Sequence, residues 1–189
     1  MKRYIRCAIK DITSEDFNVK VTVAMDPTTD PMTLKQLATD TDKWVRVEVA
    51  ANPSTPAEVL NMLVNDSFSD IRENIAENPN VTPDILKILS FDKSRNVRSN
   101  VINSPNATED VLLSMVVNNL DDDIFIISSR PHATAKVLDA VYEKADKEDW
   151  QILRHLARNK NSSVELLQIL AKYKKSYVSD LAKRRLGEM

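Results

Sequence analysis

Four cations recur at one position of the sequence, each seven residues before a proline, and neighbours in the row are 26 residues apart. They are Lys20, Arg46, Arg72 and Arg98. Such a row could contact phosphates or an acidic peptide as a basic stripe. It could also pair with acids that recur in the same register, at Asp40, Asp66 and Asp92. We favour the pairing, because repeated opposite charges commonly bond adjacent units and because Ile124 and Leu153 end the row halfway along the chain.

A second group of cations is concentrated near the C-terminal end. Residues 150–189 contain nine Lys and Arg and three Asp and Glu, so their net charge is +6. Because the whole chain has a net charge of −2, residues 1–149 have a net charge of −8. Such an end could attract a polyanion. The candidate contacts are Lys174, Lys175, Lys183, Arg184 and Arg185, interleaved with Tyr173 and Tyr177, whose rings could stack on bases. A solvated, lysine-rich helix that closes the chain is the plainer alternative.

Residues for catalysis or metal binding are few. His132 and His155 have no second histidine or cysteine at metal-ligand spacing, and Asp121 to Asp123 lack the alternating ligands and the glycine of a calcium loop. The only glycine, Gly187, excludes a glycine-rich phosphate loop. The only cysteine, Cys7, excludes an internal disulfide and a cysteine-rich iron–sulfur site. We therefore expect a protein that is not an enzyme and holds no cofactor and no metal.

The same features bear on location. A single free thiol suits the reducing cytoplasm. No window approaches the ~20 apolar residues that a membrane span needs. The sequence predicts a soluble cytoplasmic protein with no membrane partner.

A repeat positions these residues. The stretch 44–66, WVRVEVAANPSTPAEVLNMLVND, recurs, and its first proline has counterparts 26 residues apart at Pro27, Pro53, Pro79, Pro105 and Pro131. A fixed period of this length is typical of stacked repeat arrays. Before each proline, spacings of four and five as in Val45, Val49 and Ala50 predict a short amphipathic helix.

A second helix follows each proline. Thr55, Pro56 and Glu58 are typical of an N-cap, a proline at the first helical position and a capping-box glutamate. A leucine recurs on the second helix, at Leu34, Leu60, Leu86, Leu112, Leu138 and Leu167. Because a two-helix unit cannot enclose its apolar face alone, the units must stack.

The sequence thus predicts an all-α solenoid, a superhelix of about six two-helix repeats of 26 residues with terminal caps, in a single domain over 1–189. Its segments are an N-terminal cap (1–12), five regular repeats (13–145), a degenerate sixth repeat (146–171) and a basic C-terminal capping helix (172–189). The turn residues Asn52, Asn78 and Asn159 are expected to cap helix ends and bond the turn backbone rather than a ligand.

The recurring pattern Val-Arg … Val-Ala-x-Asn-Pro-x-x-Thr-Pro resembles the leucine-rich repeat variant family. In one copy it is carried by Val45, Arg46, Val49, Ala50, Asn52, Pro53, Thr55, Pro56, Leu60 and Leu63, and copies extend over 16–171. The resemblance implies a right-handed superhelix of alternating α and 3₁₀ or short α helices, similar in effect to HEAT repeats. The unit is longer than is usual in the family, and the iron–sulfur cysteines of some members have no counterpart.

Three functions suit such an array. The first is a non-enzymatic scaffold that recognises a protein or peptide on its extended face, as solenoids generally do. The second is a nucleic-acid-binding protein that uses the basic C-terminal end, with Arg46, Arg72 and Arg98. The third follows from the likeness to HEAT repeats: in HEAT-like DNA glycosylases, aromatic residues and a carboxylate hold a damaged nucleotide, roles that Trp44 and Asp42 could take. Packing between units is the other role for Trp44.

Overall fold

The computed structural model describes residues 16–118 and 121–188, and for residues 121 and 122 only the backbone. All elements in this part of the chain are α-helices. They are α1 (Phe17–Met25), α2 (Pro31–Leu37), α3 (Lys43–Ala51), α4 (Ala57–Leu63), α5 (Ser69–Glu77), α6 (Pro83–Leu89), α7 (Arg95–Asn103), α8 (Glu109–Asn118), α9 (Asp121–Ser129), α10 (Ala135–Lys144), α11 (Trp150–Arg158), α12 (Val164–Leu170) and α13 (Ser176–Gly187). The predicted N-terminal cap, 1–12, lies outside the described residues.

The helices alternate as the repeat requires. Odd-numbered helices are the first helices of their repeats, and even-numbered helices are the second. The recurring leucines of the second helices are buried, and so is the stripe Val45, Val49 and Ala50 with its counterparts in later repeats. This confirms the predicted all-α stack of two-helix repeats, and α11 and α12 lie within the segment predicted as the degenerate sixth repeat.

Residues Met1–Asn106 and Ala107–Met189 form two compact units. In the first unit, α1, α3, α5 and α7 pack each on the next, and the second helices lie against them. In the second unit, α9, α11 and α13 pack in the same way, and α8 packs on α10. The right-handed sense of the superhelix and the single-domain organisation stay predictions.

The C-terminal helix keeps the register of the repeat. The helix α13 begins 26 residues after α11, and its buried Val178 and Ala182 occupy the positions of Ile152 and Leu156. It packs against α11 and α12. The closing helix is therefore the first helix of a seventh copy.

One helix start differs from the prediction. The helix α4 begins at Ala57, and Thr55 is buried with its hydroxyl donating to the carbonyl of Val49 at 2.6 Å, so it does not cap the helix. The predicted cap is present one repeat later, where Thr82 Oγ1 accepts from the amide of Ile85. The two Thr-Pro pairs are out of register by one residue, since Thr82 is the counterpart of Pro56.

No helix in the described residues is long and apolar enough to cross a membrane.

Candidate partner-binding surfaces

The predicted cation row forms a series of clamps between repeats of the first unit. Arg46 donates from Nε and Nη2 to the carboxylate of Asp66 at 2.7 and 3.2 Å, and from Nη1 to the carbonyl of Asp40 at 2.8 Å. Arg72 repeats the arrangement with the carboxylate of Asp92 at 2.5 and 2.9 Å and with the carbonyl of Asp66. Each arginine therefore ties the turn before its helix to the turn after the following helix.

The clamps leave little of the row on the surface. Lys20 pairs with Asp40 at 2.8 Å, and Arg98 donates to the carbonyl of Asp92 at 2.8 Å. Arg72 and Arg98 are only 5% and 6% exposed. The structural pairing is confirmed for Lys20, Arg46 and Arg72, and a basic stripe would have few accessible guanidinium groups from which to form.

The clamps lower the pKa of the aspartates that they bind. Burial would raise the pKa of Asp66 and Asp92, but the hydrogen bonds from Arg46 and Arg72 and from the turn amides of Phe68 and Ser94 outweigh it and hold each pKa below its usual value. The unfolded chain consequently binds more protons than the folded chain when the pH approaches the usual aspartate value.

The lowered pKa values predict that the folded protein loses stability in acid. The contribution of each clamped acid to stability should be complete above the ordinary pKa of 3.8 and lost as the pH falls below it through the folded value. Urea denaturation at pH 7, 4 and 3 should show a shallower loss of unfolding free energy in Asp66→Asn than in wild type. Equal slopes for the two chains would contradict this assignment.

The turn asparagines form hydrogen bonds to the preceding repeat as well as within their own turn. As expected, Oδ1 of Asn52 and Asn78 accepts from a backbone amide two residues on, at 2.8 and 2.9 Å. The side-chain amide, however, crosses to the preceding repeat. Asn52 donates to the carbonyls of Ala24 and Asp26, and Asn78 donates to those of Ala50 and Asn52 at 2.7 and 2.9 Å. Both side chains are buried, so they join repeats and are not ligand groups.

A second ladder was missed. Asn80, Asn106 and Asn161 each donate from the side chain to two carbonyls of the preceding repeat, at 2.7 to 3.1 Å. The sequence contains the signal, because these asparagines each lie two residues after the repeated turn position, at Asn78, Ser104 and Asn159.

The C-terminal cations separate into two groups. Lys174 and Lys175 precede α13, whereas Lys183, Arg184 and Arg185 lie near its end, roughly 13 Å away along the helix axis. Lys174 pairs with Glu148 at 2.7 Å, and Arg184 and Arg185 each contact Glu188 at 3.0 Å. Tyr177 lies at the first end, where its ring meets that of Trp150 edge-on at 5.2 Å. Lys174 and Lys175 therefore lie at the same end of α13 as Tyr177, whereas Lys183, Arg184 and Arg185 lie at the opposite end.

The aromatic residues follow one pattern. None of the tyrosine, phenylalanine and tryptophan side chains in the described part of the chain is fully buried. The exposed ones all lie at the start of a first helix or in the turn before it. We call this set the aromatic edge: Phe17, Trp44, Phe68 and Phe91 in the first unit, and Trp150 and Tyr177 in the second.

The aromatic edge of the first unit contains a cation cluster. The ammonium of Lys43 lies 4.7 Å from the ring centres of both Trp44 and Phe68, which are 50% and 40% exposed. The guanidinium of Arg46 lies 5.9 Å from the ring of Phe68. A clamp arginine and a lysine therefore hold two exposed rings close together.

A surface groove of about 350 Å³ adjoins this cluster. Ile88 and Phe91, both exposed, give it an apolar wall, and Ser67, next to Phe68 in the chain, lines it as well. The Arg72–Asp92 pair and Lys93 supply its polar groups. The groove includes Asp66, the partner of Arg46, and offers a place for an apolar side chain flanked by polar groups.

The residues considered for catalysis or metal binding are Asp42, His132 and His155. Asp42 accepts from the amide of Trp44 at 2.8 Å and so caps α3. The Nδ1 atom of His155 lies 3.0 Å from Oγ of Ser128, and burial together with Arg154 holds the pKa of His155 below its usual value. His132 is exposed in a turn. In residues 16–118 and 123–188, no three or more His, Cys, Asp or Glu side chains are grouped to hold a metal ion.

The fold is similar to that of a solved leucine-rich repeat variant with a novel repetitive protein structural motif. The two chains share 23% identity at a TM-score of 0.69, over 96% of this chain and 71% of the other. The predicted resemblance is therefore confirmed at the level of the fold.

Two further structures align less well. An engineered protein shares 18% identity at a TM-score of 0.44, over 96% of this chain and 66% of its own. A designed armadillo repeat protein shares 10% identity at a TM-score of 0.28, over 95% of this chain and 97% of its own. These TM-scores are too low to bear on the fold. No protein-family model matches the sequence, and no curated protein matches it.

Proposed function

We propose that the chain is a non-enzymatic binding scaffold that recognises a protein or peptide along the aromatic edge of its first unit. The observation that carries the proposal is the placement of the aromatic residues. The core is built from aliphatic side chains, while Trp44, Phe68 and Phe91 remain 40% to 56% exposed on one edge. Tryptophan and tyrosine dominate binding hot spots because they bury a large area at small entropic cost.

The clamps support the proposal by fixing the edge before a partner arrives. The guanidinium of Arg46 donates three hydrogen bonds to Asp66 and Asp40, and it also lies over the ring of Phe68. A preorganised ring loses less conformational entropy on binding. The clamps thus link stacking of the repeats to the shape of the proposed surface.

The chemistry of the edge favours an apolar or aromatic side chain next to an acidic one. Trp44, Phe68 and Phe91 would bury the apolar group, and Lys43 and Lys93 flank them with positive charge. Nucleic-acid binding through the C-terminal end is the weaker candidate, since Lys174, Arg184 and Arg185 are paired with acids and the cations near the end of α13 lie away from Tyr177. The cytoplasmic location stays a prediction.

A peptide-library selection against the full chain tests the proposal. Selected peptides should carry an apolar residue beside an acidic one, and Phe68→Ala should weaken their binding by roughly 30-fold, the size of a hot-spot loss of about 2 kcal/mol. Met32→Ala is the matched control, because Met32 is an exposed apolar residue of the same unit away from the edge. Failure to select any peptide, or equal losses in Phe68→Ala and Met32→Ala, would contradict the proposal.

A further inference from the structure

A second groove, of about 410 Å³, lies in the second unit where α9 and α11 end. Its lining residues are Ser129, Pro131, His155, Arg158, Asn159 and Lys160. No carboxylate is among them. The groove is therefore neutral or positive over its whole surface, unlike the groove of the first unit, which contains two aspartates.

Its two full cations are Arg158 and Lys160. Arg158 and Lys160 are exposed, and among the described residues neither forms an ion pair, whereas Arg46, Arg72, Lys174 and Arg184 all do. Two unpaired cations beside a concave surface attract an anion, which would gain charge-assisted hydrogen bonds from both.

Arg185 adds a third cation at the margin. Its Nη2 donates to the carbonyl of Lys160 at 3.3 Å, while its Nε is buried without a hydrogen-bond partner. The guanidinium also contacts Glu188 at 3.0 Å, which offsets part of its charge. It braces the backbone that presents Lys160 and adds positive potential next to the groove.

His155 supplies a group that can change its hydrogen bonding. The hydroxyl of Ser128 donates to the carbonyl of Phe125 at 2.6 Å, so its oxygen accepts from Nδ1 of His155 at 3.0 Å. The other ring nitrogen, Nε2, is then an acceptor in the neutral imidazole and a donor in the protonated one. A bound anion would favour the protonated form and gain this donor.

We propose that this groove binds the phosphate group of a phosphorylated side chain on the protein partner. Arg158 and Lys160 would contact the phosphate oxygens, and Pro131 would contact the apolar part of the side chain that carries them. The inference rests on the proposed function, since it assumes a protein partner, but it concerns a separate surface.

A single phosphate fits the geometry better than a nucleic-acid strand. Strand binding combines a row of cations along the backbone with aromatic rings for the bases. The nearest exposed ring on the same helix is that of Trp150, which begins α11, whereas Arg158 ends it, roughly 12 Å away. The groove lining itself contains no tyrosine, phenylalanine or tryptophan.

An NMR titration of the full chain tests the inference with four probes: a short phosphoserine peptide, its serine counterpart, inorganic phosphate and a labelled oligothymidylate. The phosphoserine peptide should shift the amides of 129, 130 and 158–160 saturably, and the serine peptide should not. Arg158→Ala combined with Lys160→Ala should weaken this binding at least tenfold. Lys183→Ala, which removes an exposed cation outside the groove, should leave it unchanged, and so should Phe68→Ala on the other surface.

Three results would overturn the inference. Absence of a saturable shift, or shifts away from the groove, would remove the site. Inorganic phosphate binding as tightly as the phosphopeptide would assign it to free phosphate. Tighter binding of a labelled oligothymidylate through Arg158 and Lys160 would assign it to nucleic acid. Because the first-unit edge is probed separately by Phe68→Ala and the selected peptides, failure here is distinguishable from failure of the proposed function.

Discussion

Replacing Asn78 by alanine is expected to lower the free energy of unfolding by about 3 kcal/mol, because it removes several buried hydrogen bonds and leaves a buried carbonyl without its donor. The side-chain amide of Asn78 donates to the carbonyls of Ala50 and Asn52, and its oxygen accepts from the amide of Asn80. The two bonds that the side-chain amide donates join neighbouring repeats, so their loss loosens the stack and not one helix alone.

Urea denaturation of the full chain, followed by circular dichroism, measures this effect. Asn80→Ala is the matched control, since Asn80 also donates to two carbonyls of the preceding repeat but is exposed, where water can replace it. Its loss should cost about 1 kcal/mol. An Asn78→Ala chain as stable as Asn80→Ala would show that burial of the amide does not determine its contribution.

Arg72→Ala is expected to have an effect of similar size, about 3 kcal/mol, because it leaves the carboxylate of Asp92 in a nearly buried site without its counter-charge. The side chains of Arg72 and Asp92 are 6% and 8% exposed, and the guanidinium also donates a hydrogen bond to the carbonyl of Asp66. The cost arises mainly from the group left behind, so removing both charges should be much less destabilising than removing one.

A double-mutant cycle separates these contributions. Arg72→Met combined with Asp92→Leu should recover most of the stability that Arg72→Ala loses. Lys136→Ala, which breaks the exposed pair with Glu109 at 3.1 Å, should leave the unfolding curve unchanged. If Arg72→Ala behaved like Lys136→Ala, the clamps would not be structural.

The sequence predicted most of the fold because the repeat presents the same physical problem several times. One copy of the apolar stripe could be coincidence, but Leu34, Leu60 and Leu86 at a fixed period can be buried together only by stacking. The pairing of Arg46 with Asp66 followed from the same logic, since opposite charges recur with a constant offset of 20 residues.

Local detail was harder to predict where the same residue pair occurs at two different positions of the repeat. Thr55 precedes a proline as Thr82 does, but it lies one position earlier in its repeat. Thr55 is therefore buried in the turn and does not cap α4, whereas Thr82 caps α6. The carbonyl of Val49, at the end of α3, needs a donor, and Thr55 lies within reach of it. Sequence patterns at a helix start do not reveal such tertiary demands.

The candidate surfaces depend on three-dimensional placement that spacing alone did not indicate. Trp44, Phe68 and Phe91 occupy three different repeat positions, so their common edge is visible only once the turns are folded. Likewise, Lys174 and Arg184 are close in sequence but lie at opposite ends of α13. The second groove joins residues from the ends of two helices about 29 positions apart, Ser129 and Arg158.

The fluorescence of Trp44 tests the central claim most directly. Trp150→Phe leaves Trp44 as the single tryptophan, half exposed on the aromatic edge. On addition of a selected peptide, its emission should shift to shorter wavelength and its quenching by acrylamide should fall, because the partner covers the ring. A peptide that binds while the emission and quenching of Trp44 stay unchanged would contradict recognition by this edge.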